Sequence, residues 1–212
     1  MRYDAKMMIT TPTEAEALRA EIAMLAARMI AEDGADYGSA KRRAAKQLLG
    51  SNKIRGNILP DNSQVEREVR EYNALFFGDS QPQRLLLLRQ IALDIMQELE
   101  RFNPYLVGAV FNGTASKHSD IYLHLYTDNT KEVAIFLLNK NIQFEVSENI
   151  NKRNEVIETL SFMSQQEGVH LLLHSMDDLR ASNRAERANI AALRHLIVQS
   201  QATETLTPPP TE

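Results

Sequence analysis

Two hydrophobic rhythms divide this chain. Up to about residue 102 the apolar positions recur at helical spacing. Leu18, Ile22, Leu25 and Met29 fall at i, i+4, i+7 and i+11, after a Thr13/Glu16 capping box and before Gly34, which predicts a first helix. A second helix is expected from Ser39 to Leu49. Tyr37, Ala40, Ala44 and Leu48 share one of its faces and Arg42, Arg43 and Lys46 the other. Asp61 to Ser63 cap a third, with Val65, Val69, Tyr72 and Phe76 inward. A fourth opens at Ser80 with Pro82 in its first turn. It carries Leu85, Leu88, Ala92, Ile95, Leu99 and Phe102 before Pro104 ends it.

The rhythm then changes to strands. Tyr105 to Phe111 is a short apolar run. Asp120 to Tyr126 alternates, with Ile121, Leu123 and Leu125 on one side and Asp120, Tyr122 and His124 on the other. A helix from Thr130 to Asn139 and a strand from Ile142 to Val146 follow. Val156 to Met163 and Val169 to His174 read as a hairpin over Gln165-Gln166-Glu167-Gly168. Asp177 or Asp178 caps a last helix that reaches about Gln199. The expected fold class is α+β, a mixed β-sheet packed with helices and preceded by an N-terminal helical extension.

Composition narrows the function classes. The 212 residues carry 24 Lys+Arg against 28 Asp+Glu, a net charge of −4, so the chain is not a basic nucleic-acid coat. No cysteine is present, which excludes disulfides, thiol nucleophiles and thiolate metal sites. No apolar stretch approaches the ~20 residues of a membrane helix, and the reading is a soluble cytoplasmic protein. Residues 1–12 read as a flexible leader, 13–79 as a helical region, 80–176 as the α+β core, 177–200 as a C-terminal helix and 201–212, with Pro208 to Pro210, as a solvated tail.

Chemistry concentrates in one string. Val107-Gly108-Ala109 is followed, ten residues on, by Asp120-Ile121-Tyr122-Leu123, with Gly113-Thr114 between them and Ser119 before the aspartate. This string resembles the signature of the nucleotidyltransferases of the DNA polymerase β superfamily, especially the small bacterial members. That signature is an apolar residue, Gly, Ser or Gly, then Asp-apolar-Asp/Glu-apolar after nine to thirteen residues. The resemblance spans about Leu85 to His174. It implies a nucleotidyltransferase-like sheet, an NTP substrate, an RNA or protein acceptor and Mg²⁺ held by carboxylates at i and i+2 of a strand plus a third nearby. By the same resemblance Asp120 and Glu145 are the metal ligands; His118, beside Ser119-Asp120 in the loop, is a candidate catalytic accessory, a proton carrier or phosphate partner. Gly108, Gly113, Thr114 and Ser119 shape the phosphate turn.

Two positions depart from the signature. Ala109 lacks the phosphate-binding hydroxyl, and Tyr122 replaces the second carboxylate. A neutral phenol is a poor Mg²⁺ ligand. Asp120 and Glu145 together would hold one ion through the substrate's phosphates, not a two-metal site. The chain is therefore read as a nucleotidyltransferase-like protein transferring a nucleoside monophosphate. The alternative is an inactive member, a pseudoenzyme that binds a nucleotide, RNA or protein. The basic run that includes Lys41, Arg42, Arg43 and Lys46 could steer phosphate or form a solvated face balanced by Glu66, Glu68 and Glu71. The last helix could cover the sheet or pair two copies, leaving monomer or homodimer open.

Overall fold

The computed structural model describes residues 12–50, 58–150, 156–181 and 186–204. The leader, Lys53, Arg55 and the proline tail lie outside the described residues. The chain divides into two compact units, Met1–Phe77 and Gly78–Glu212.

The first unit is built on three helices, α1 (Pro12–Asp33), α2 (Tyr37–Leu49) and α3 (Asn62–Phe76). Its core joins Ile22, Ala26 and Ile30 of α1, Ala40 and Ala44 of α2, and Val65 and Val69 of α3. Alanines at the contacts let the helix backbones approach closely. The start signals of α1 and α2 differ from the sequence reading, and that of α3 agrees with it. α1 begins at Pro12, so Thr13 sits inside its first turn. The cap of α2 is Asp36, whose carboxylate accepts from the Ser39 amide at 2.9 Å. Asp61 caps α3 in a reciprocal box with Gln64. Phe76, read as inward, is exposed, as is Leu48.

The second unit holds a five-stranded mixed sheet in the order β1-β2-β5-β4-β3. The strands are β1 (Tyr105–Val107), β2 (Ile121–Tyr126), β3 (Glu145–Ile150), β4 (Val156–Ser164) and β5 (Glu167–His174). β2 and β5 run parallel, and the other pairs are antiparallel. Alternation sets the two faces. Ile121, Leu123, Leu125, Leu160, Val169 and Leu171 are fully buried on one. Helices α4 (Gln81–Glu98), α6 (Lys131–Asn139) and α8 (Ile190–Glu204) send Leu88, Met96, Val133, Leu137, Leu193 and Ile197 into the same core. Each such leucine contributes about 1.5–3 kcal/mol on burial.

Three elements differ from the sequence reading. The apolar run after Pro104 is a strand only to Val107; Gly108, at φ +72°, turns it into a short helix, α5 (Gly108–Asn112). β3 begins at Glu145, and Ile142 and Phe144 precede it. The last helix is two, α7 (Met176–Ala181) and α8. No helix among the described residues is long and apolar enough to cross a membrane.

Candidate functional site

The hairpin turn fixes the geometry of the site. Gln165 and Gln166 both take positive φ, 51° and 70°, the twist a tight two-residue turn needs. Ser164 then faces Glu167, and counting back places Ser161 opposite His170. His170 in turn faces Tyr122 of β2, and Ser161 faces Glu145 of β3. Glu145, Ser161, His170 and Tyr122 form one row across four strands on the face opposite the leucine core.

A polar relay crosses this row. Ser161 Oγ lies 2.9 Å from His170 Nδ1, and His170 Nε2 lies 3.1 Å from Asp120 Oδ2. The Tyr122 ring stacks on the imidazole with centroids 4.6 Å apart and planes 22° apart. Burial first, and Asp120 second, push the Tyr122 phenol above its ordinary pKa, so it stays neutral. Beside the relay Arg84 grips Glu167 with both guanidinium nitrogens, one at 2.6 Å. That contact raises the Arg84 pKa against the opposing effect of burial.

Arg84, Asp120, Ser161, Glu167 and His170 line a cleft of about 980 Å³, whereas Tyr122 is not among its lining residues. The lining also includes the polar Lys117, His118 and Ser119 and the apolar Ile142, Phe144, Phe162 and Met163. Histidines apart, the lining carries Arg84 and Lys117 against Asp120, Glu145 and Glu167, two formal positive charges and three negative, a formal net of −1.

The residues singled out from sequence therefore separate. Asp120, His118, Ser119 and Glu145 line the cleft. Glu145 does not neighbour Asp120, however: β5 and β4 stand between their strands, and at ~4.8 Å per strand the backbones are about 14 Å apart. The place beside β2 expected for a third carboxylate is held by His170. Gly108, Gly113 and Thr114 are not among the cleft-lining residues. Gly113 ends α5 in the left-handed conformation at φ +83°. Thr114 is buried, its hydroxyl donating to Asn112 Oδ1 at 2.6 Å. Gln81 donates to the carbonyls of Gly113 and Ala115 and holds this loop from α4. In the first unit, Lys41 donates to the Pro60 carbonyl and Asn62 Oδ1, whereas Arg42, Arg43 and Lys46 are exposed.

Sequence reasoning missed Ser161, His170, Arg84, Glu167 and Gly168. Alternation along β4 and β5 puts Ser161 and His170 on the polar faces, but their pairing depends on the hairpin register. Among the described residues no group of three or more His, Asp or Glu side chains could hold a metal ion. Tyr122 and His170 pair across β2 and β5, and Asp120 engages the His170 imidazole.

No protein-family model matches the chain, and no curated protein does. Solved structures with a similar arrangement include Cid1 in complex with the UTP analogue UMPNPP (15% identity, TM-score 0.33, covering 64% of this chain and 42% of that one). A cytoplasmic RNA terminal U-transferase overlays at 18% identity and TM-score 0.32, over 64% of this chain and 40% of that one. The GLD-2/RNP-8 complex gives 19% identity and TM-score 0.29, over 58% and 48%. The chain spans less than half the length of each.

Proposed function

We propose that this is a nucleotidyltransferase-fold protein that binds a nucleoside moiety without metal-dependent nucleotidyl transfer. The observation that carries the reading is the stacked Tyr122–His170 pair, standing beside Asp120 where two further carboxylates would be needed. A neutral phenol and an imidazole bonded to Asp120 and Ser161 offer no cage for Mg²⁺. Charge supports the same reading. A triphosphate brings about four negative charges, and a cleft of net −1 repels it unless metal accompanies it. The nucleoside end suits the cleft better. Its flat base would lie along Ile142, Phe144 and Met163, and its ribose hydroxyls would face Ser119 and Lys117.

Thermal melting tests this. Adenosine, cytidine, guanosine and uridine, and their mono- and triphosphates, are added in Mg²⁺ and in EDTA. A ligand at 100 times its Kd adds about 2.7 kcal/mol, or several degrees. The expected outcome is a shift with one nucleoside, equal in Mg²⁺ and EDTA and no larger with the triphosphate. A shift that requires both Mg²⁺ and the triphosphate would overturn the proposal in favour of a working transferase.

A further inference from the structure

We infer that Ser161 is a nucleophile and that the cleft supports metal-free acyl transfer, the hydrolysis of a small uncharged carboxylic ester. The inference goes beyond nucleoside binding and needs only the relay. Three features carry it.

The first is the direction of the hydrogen bonds. An ionised Asp120 only accepts, so His170 Nε2 carries the ring proton in the 3.1 Å contact. Nδ1 then holds the lone pair, and the Ser161 hydroxyl 2.9 Å away donates to it. The hydroxyl, a base able to take its proton and a carboxylate that orients the base thus stand in series. The ring nitrogens are used in the order opposite to that of chymotrypsin, which leaves the proton logic unchanged.

The second is rigidity. Ser161 and His170 are direct partners across β4 and β5, and His170 and Tyr122 across β5 and β2. Tyr122 covers one face of the imidazole. Asp120 is seated against Gly168, where a β-carbon would fall 2.5 Å from Oδ1.

The third is the cleft itself. Asp120, Ser161 and His170 all line it, so a ligand within it meets the hydroxyl. Lys117, also in the lining, is a cation available to a carbonyl oxygen that gains charge, and Ile142, Phe144 and Met163 suit an apolar acyl group. The net −1 favours an uncharged ester over a phosphate ester.

The chemistry balances with water as co-reactant. Ser161 Oγ bonds to the ester carbonyl carbon while its proton passes to His170 Nδ1. The bond from that carbon to the alcohol oxygen breaks, and the leaving alcohol takes the proton. Water then gives a proton to Nδ1 and attacks the acyl-serine. The carboxylic acid leaves, and Ser161 regains its hydroxyl proton. Ser161 and His170 are the catalytic residues, and Asp120 is a positioning residue.

The test is covalent labelling of the full chain with a fluorophosphonate, read by intact mass and peptide mapping. One adduct on Ser161 is expected. Ser161→Ala should abolish it, and His170→Gln should slow it at least 100-fold. Asp120→Asn should slow it about tenfold or more while the melting temperature stays near that of the parent. No adduct on Ser161 of the folded chain, or an undiminished rate in His170→Gln, overturns the inference. If a variant fails to fold, the position of the adduct on the parent still decides. Labelling requires no nucleoside, so its failure and that of nucleoside binding are distinguishable.

Discussion

Asp120 and Gly168 are in register-level contact: a β-carbon on Gly168 would meet Asp120 Oδ1 at 2.5 Å and its carboxyl carbon at 2.7 Å. The obstructed atoms are the end of a side chain that is 45% exposed, so the carboxylate can move. Gly168→Ala should therefore cost little stability, on the order of 1 kcal/mol. It should swing Asp120 away from His170. The imidazole Nε2–H resonance, followed by NMR, should lose its hydrogen-bonded shift; an unchanged resonance would mean that Asp120 is not seated by Gly168.

Adding acid groups beside Asp120 should create metal affinity. Tyr122→Asp supplies a carboxylate two residues from Asp120 on the same face of β2, and His170→Asp adds one directly opposite it on β5. The double variant should bind Mg²⁺ at least tenfold more tightly than the parent by calorimetry, each single variant less so. Equal Mg²⁺ binding in parent and double variant would show that these positions never faced an ion.

Arg84 and Glu167 form a two-pronged ion pair with side chains 23% and 14% exposed. Removing one partner leaves a largely enclosed charge. Arg84→Ala should lower stability by about 2–3 kcal/mol in urea unfolding, less than for a fully buried pair because some water reaches both groups. Arg84→Ala with Glu167→Gln should recover part of that loss. A loss under 0.5 kcal/mol for Arg84→Ala would place the pair among inert surface contacts.

Acid should destabilise the second unit through His124. Burial, then His174 and Arg187, lower its pKa from 6.5 to about 4. The unfolded chain takes up the proton near pH 6.5, whereas the folded chain resists it to about 4. Stability is therefore complete above pH 6.5 and falls as pH drops towards 4, by roughly 3 kcal/mol at most. Unfolding free energies measured between pH 7 and pH 4 check this. His124→Gln should flatten the fall, and an unchanged profile would assign the acid sensitivity elsewhere.

The cations of α2 should divide by role. Lys41 bridges to the Pro60 carbonyl and Asn62 at 3.1 and 2.8 Å, tying α2 to the start of α3. Lys41→Ala should cost about 1 kcal/mol, and Arg43→Ala should stay within about 0.5. Equal losses by thermal melting would contradict this division.

Some of this was legible in the residues. The 3.6-residue spacing of Leu88, Ala92, Leu99 and Phe102 and the alternation of Ile121, Leu123 and Leu125 report burial directly, and these residues are core. The spacing failed where an apolar residue serves something else. Ile142 and Phe144 read as strand yet precede β3 and line the cleft, while Glu145, Ser147 and Glu148 of the true strand look polar because β3 is an edge. The run after Pro104 read as strand past Gly108 because composition does not reveal a positive φ.

By itself the sequence determined the α+β class and the leucine-lined face of the sheet, because each follows from residue type and local period. Only the tertiary structure decided what surrounds Asp120. Strand order put β5, not β3, beside β2, and a two-residue turn set Ser161 opposite His170. Those pairings depend on contacts between residues far apart in the chain, and no local pattern encodes them. They separate Glu145 from Asp120 and place an imidazole where a third carboxylate was expected.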